Sequence, residues 1–157
     1  ARWLVRGDGS VVLCAHGALC EQVAHAARLM GDRYGISASA LEVGQLAPAP
    51  PGLADLLRQH SLVLACEDQT SPGALAATLA EALTTRHGGA RTEGAGRRPD
   101  PPLLRFDLAA SPGSGDYGEL LHAAGLTPEL IAARAAQALA TGPDTSGTSG
   151  TSQGGTA

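Results

Sequence analysis

The sequence contains no lysine; all 11 basic residues are arginine. That absence excludes a Schiff-base lysine, a pyridoxal-type anchor and the lysine of a phosphate-binding P-loop. Cysteine is scarce, and Cys14, Cys20 and Cys66 form no Cys-x-x-Cys pair, so zinc and thioredoxin-type readings have no framework. Cys14 and Cys66 lie in apolar runs, where a free cysteine behaves as a small buried hydrophobe. An odd count fits a reducing compartment. Positive charge is also in deficit. A net charge of −4 argues against a nucleic-acid or anionic-membrane partner, since both need an excess of basic surface. No apolar run approaches the ~18 residues of a membrane span, and no charged-then-apolar leader opens the sequence. A cytoplasmic location is the expectation.

What is present is a core. Hydrophobic residues make up 43% of 157 residues, enough for one domain that needs neither disulfide nor metal. The abundance of alanine, glycine and proline, with arginine replacing lysine, reads as a GC-rich coding bias.

Val11-Val12-Leu13-Cys14-Ala15 follows the turn Gly7-Asp8-Gly9-Ser10 and ends at His16-Gly17. A short β-branched run bounded by turn residues predicts a strand buried on both faces. Trp3-Leu4-Val5 is placed to pair with it as a hairpin arm. Leu19, Val23, Ala26, Ala27 and Met30 recur at helical spacing, and Gly35 suits a left-handed cap after Tyr34. Residues 36–43 alternate and predict a second strand. The proline-rich stretch 47–52 opens a short helix with Leu53, Leu56 and Leu57 on one side.

Residues 61–66 predict a third buried strand ending at Glu67-Asp68. Ser71 with Pro72 reads as a helix start, and Leu75, Leu79 and Leu83 carry that helix to Arg86 and Gly88-Gly89. Residues 88–102 form a loop rich in Gly, Arg and Pro, and 103–108 a fourth strand. A short helix runs over 116–124, and Thr127-Pro128 starts the last, which Gly142-Pro143 stops. Residues 1–142 thus form the domain. Residues 143–157, built on Thr-Ser-Gly repeats, form a flexible tail. The alternation of strand and helix predicts an α/β three-layer sandwich around a mostly parallel sheet.

In such folds ligands meet the C-terminal ends of the strands. Those ends hold His16, Gly17, Glu67, Asp68 and Ser111. His16 suits acid/base work or a pH-sensitive contact, and more readily a hydrogen bond to a neighbouring loop. Glu67 and Asp68 suit a cation or a partner's backbone, and equally a helix N-terminus. Gly7-x-Gly9 precedes its strand and is no dinucleotide fingerprint, and no nucleophile elbow or P-loop occurs. His25 and His60 fall in helical stretches and are expected on the surface. Arg91, Arg97 and Arg98, flanked by Arg86 and Arg105, suit a phosphate or acidic partner, or simply a solvated loop. No catalytic residue, cofactor site or metal site follows from the residues alone.

The ordered set of motifs resembles the C-terminal domain of the transketolase-like, thiamine-diphosphate-dependent enzymes, most of all 1-deoxy-D-xylulose-5-phosphate synthase. The resemblance covers residues 4–140. The family's Leu-x-Arg-x-Gly-x-x-Val opening is echoed by Leu4-Val5-Arg6-Gly7-Asp8-Gly9-Ser10-Val11. His16-Gly17 ends the strand that follows, and Val23 to Met30 resembles the family's first helix. Gly35-Ile36 matches the entry to the second strand, and Gln45-Leu46-Ala47-Pro48 echoes a Leu-x-Pro turn. The third strand's Val-x-x-Glu-Asp ending is echoed by Val63 through Asp68. The closing pattern is matched by Gly115, Glu119, Leu120, Leu121, Gly125, Leu126 and Ile131. Gln69-Thr70-Ser71-Pro72-Gly73 keeps one glycine where the family has Gly-Gly-x-Gly, and the 88–102 loop is longer.

The resemblance implies a non-catalytic domain or small subunit that supports assembly of an enzyme for two-carbon transfer. Thiamine diphosphate and magnesium would sit between a pyrophosphate-binding and a pyrimidine-binding domain, neither in this sequence, with none bound by this chain alone. A dimeric or hetero-oligomeric assembly is implied. The alternatives are a piece of a 2-oxoacid dehydrogenase E1 β-type or ferredoxin oxidoreductase subunit, a flavodoxin-like anion-binding module, and a degenerate domain that only mediates assembly.

Overall fold

The computed structural model describes residues 1–70, 74–85, 99–108 and 114–141. Among them five strands form one sheet in the order β1-β3-β2-β4-β5: β1 (Arg2–Val5), β2 (Val11–Ala15), β3 (Ala38–Glu42), β4 (Leu62–Thr70) and β5 (Leu103–Leu108). β3, β2, β4 and β5 run parallel, and β1 adds antiparallel to β3 at the edge.

Among the described residues five helices cover the sheet: α1 (Leu19–Tyr34), α2 (Leu53–Leu57), α3 (Ala74–Thr84), α4 (Tyr117–Ala123) and α5 (Pro128–Thr141). Side chains alternate across a strand, so Val11, Leu13 and Ala15 pack under α1, α4 and α5. Val12 and Cys14 pack under α2 and α3. The predicted α/β three-layer architecture is the one observed.

The expected hairpin is absent. Both sides of β2 are occupied by parallel neighbours, which leaves β1 no edge to pair with there. The turn after β1 instead crosses the start of β3, where Ser39 Oγ accepts from Gly7 N–H (3.0 Å) and Ser37 Oγ from Asp8 N–H (2.9 Å). The second predicted strand, β3, is shorter than expected, because Ile36 and Ser37 precede it. β4 is longer, running past Glu67-Asp68 to Thr70 with a register irregularity against β5 after Cys66. α1 ends as predicted, with Gly35 at φ 64°. Asp116 caps α4 through a reciprocal pair of bonds with Glu119. The expected helix start at Ser71-Pro72, the glycine stops, residues 88–98 and the tail lie outside the described residues.

The crossing at β3 makes Gly7 obligatory. A Cβ there would stand 2.7 Å from the Ala38 carbonyl oxygen, a backbone atom that cannot swing aside. Gly7→Ala is expected to cost about 1–3 kcal/mol through overpacking. Gly35→Ala is expected to cost about 1–2 kcal/mol through its left-handed backbone. Urea unfolding of both variants checks the two values.

Candidate functional site

The C-terminal ends of the strands are held together by backbone and side-chain bonds. Val43 N–H donates to the Ala15 carbonyl (2.9 Å), and His16 Nδ1 lies 2.8 Å from the Val43 carbonyl oxygen. A carbonyl only accepts, so Nδ1 carries the proton and Nε2 is left as an outward acceptor. His16 therefore bonds a neighbouring loop. Gly17, at φ 65°, turns the chain into α1.

Glu67 is 6% exposed. Strand alternation puts its side chain on the α3 face, where Oε1 accepts from Leu75 N–H (2.7 Å) and Oε2 from Ala76 N–H (3.3 Å). Two amides of the first turn of α3 are thereby satisfied, in the field of the helix dipole. Each carboxylate oxygen thus accepts one amide of α3, the helix-end role that the sequence left open for Glu67. Asp68 is exposed on the other face, and burial, followed by the Asp68 charge, raises the Tyr117 hydroxyl above its ordinary value. Ser111 lies outside the described residues, as do Arg86, Arg91, Arg97 and Arg98. Arg105 forms an ion pair with Asp107.

Among the described residues no group of three His, Cys, Asp or Glu could hold a metal ion. Every buried side-chain nitrogen or oxygen among them already has a hydrogen-bond partner.

His60 corrects a second expectation. It lies beyond the end of α2, where the turn swings its ring inward to 6% exposure. His25 is exposed as expected. His60 lines a pocket of about 90 Å³ at the opposite, N-terminal edge of the sheet, with Trp3, Arg6, Asp8, Ser39 and Gln59. The legible signal was Ser39, a polar residue inside a buried strand that must find a partner.

Structural comparison places this architecture. The chain overlays a split-gene transketolase solved as an inactive β4 tetramer, with TM-score 0.70 and 23% identity over 88% of this chain and 42% of that one. The fold is that of a transketolase C-terminal domain. A transketolase from Pichia stipitis, in complex with sedoheptulose-7-phosphate, gives TM-score 0.62 and 20% identity over 89% of this chain and 18% of that one. The chain thus spans less than half the length of these transketolases. No family model and no curated protein matches the sequence. Among the described residues no helix is long and apolar enough to cross a membrane.

Glu67→Ala strips two buried amides of their acceptor and is expected to lower stability by about 1–3 kcal/mol in urea unfolding, with Glu67→Gln losing less. Burial raises the thiols of Cys14 and Cys66, the latter to about 12, and they lie on opposite faces of the sheet. A thiol reagent is expected to titrate only the half-buried Cys20 in the native protein and all three cysteines after unfolding.

Proposed function

We propose that this chain is a non-catalytic C-terminal domain or small subunit of a transketolase-like, thiamine-diphosphate-dependent enzyme. The observation that carries the reading is its overlay on a split-gene transketolase across 88% of its length. The hydrogen bonds of Glu67 to the α3 N-terminus add to it, since they give the buried carboxylate at the described strand ends a structural role. Thiamine diphosphate and magnesium, held by pyrophosphate- and pyrimidine-binding domains outside this chain, supply the two-carbon transfer. This chain's residues are assigned a packing role: His16 Nε2, Gly17 and Asp68 offer contacts to those domains.

Within the family, the closing motif favours a relative of 1-deoxy-D-xylulose-5-phosphate synthase. Its residues have a physical job here. Glu119 completes the α4 cap, and Gly125 turns at φ 71° so that Leu126 N–H reaches the Leu121 carbonyl (2.8 Å). Leu121, Leu126 and Ile131 are buried in the same core as α1 and its face of the sheet.

The test is reconstitution with a chain carrying the two cofactor-binding domains. A complex is expected by size-exclusion chromatography with light scattering. Two-carbon transfer is expected from the complex and not from this chain alone. Asp68→Arg, at an exposed site, is expected to weaken assembly while leaving the far-UV spectrum unchanged. A partner that is equally active without this chain contradicts the proposal.

A further inference from the structure

We propose that His60 is a proton-operated latch, fastening the edge strand β1 and its following turn to the sheet at neutral pH and releasing them in mild acid. Its hydrogen bonds fix its neutral form. Nδ1 lies 3.1 Å from the Leu56 carbonyl oxygen, which only accepts, so Nδ1 carries the proton. Nε2 lies 3.1 Å from Ser39 Oγ, and that hydroxyl already accepts from Gly7 N–H at 3.0 Å. The hydroxyl proton therefore points to Nε2. A single relay runs from the turn after β1, through β3, to the turn after α2.

A second proton on the ring breaks this relay. Both ring nitrogens become donors, Ser39 Oγ must accept twice, and its own proton loses its acceptor. The ring has little access to water to compensate. The same ring packs on Trp3, with centroids 5.8 Å apart and planes tilted by 43°. Two charged groups line the pocket around it: Asp8, whose carboxylate favours the imidazolium, and Arg6, which sits 5.6 Å over the Trp3 ring and carries like charge. The other elements against the ring contribute the neutral Ser39 and Gln59.

Desolvation dominates and lowers the His60 pKa below its ordinary value, against the backbone carbonyl of Leu56 and the Asp8 charge. The released form therefore binds the proton more tightly than the latched form. Latching is complete above about pH 6.5 and weakens as the pH falls below it. β1 is the element able to respond. It is a four-residue edge strand, partly exposed, with a register irregularity between Trp3 and Val5.

Trp3 is the only tryptophan, so its fluorescence reads the latch directly. In the full 157-residue chain, Trp3 emission is expected to fall and shift red between about pH 7.5 and 5, while far-UV ellipticity holds. Hydrogen exchange at the Gly7 amide is expected to rise at least tenfold, on the order of a local opening, over its intrinsic pH dependence. His60→Gln, which does not titrate, is expected to abolish the step. Ser39→Ala, which removes the donor to Nε2, is expected to move the midpoint to higher pH. A flat wild-type profile, the same step in His60→Gln, or loss of emission and ellipticity together would each overturn the latch.

Discussion

Every residue of β2 is inaccessible to water on both faces, and the rest of the structure is arranged around that constraint. A strand of five apolar residues cannot border solvent, so it takes a parallel neighbour on each side and a helical layer above and below. The arrangement displaces β1 to the far side of β3 and forces the turn at Gly7 to cross the sheet within contact of Ala38. The edge strand, the crossing glycine and the buried His60–Ser39 relay are all consequences of filling the centre with β2.

The two ends of the sheet then serve different purposes. At the C-terminal end, polar groups are spent on closing the fold: His16 on Val43, Glu67 on the first turn of α3. Among the described residues, the outward rim there includes an imidazole nitrogen, a glycine and the Asp68 carboxylate. At the N-terminal end, a titratable ring sits inside a hydrogen-bonded relay beside a partly exposed edge strand. The first end is the one we propose packs against another body, and the second the one we propose responds to protons.

Periodicity made the layers legible. The apolar run of β2, the stripe of α1 and the Gly35 cap each follow from local rules, and the structure has them. Long-range pairing was not legible. Nothing within Trp3-Leu4-Val5 distinguishes a hairpin partner of β2 from an edge strand on β3, because that choice depends on which edge is still open. His60 was misplaced for a similar reason: helical spacing near α2 does not reveal the turn that folds its ring inward. Glu67 stood evenly between ligand and helix-end carboxylate in the sequence, and only the two amide distances reveal its bonds to the helix end.

The central claim is that this domain packs and does no cofactor chemistry of its own. Isothermal titration of the chain with an excess of thiamine diphosphate and magnesium tests it most directly. The account predicts no saturable heat from the chain alone. A saturable isotherm would contradict it.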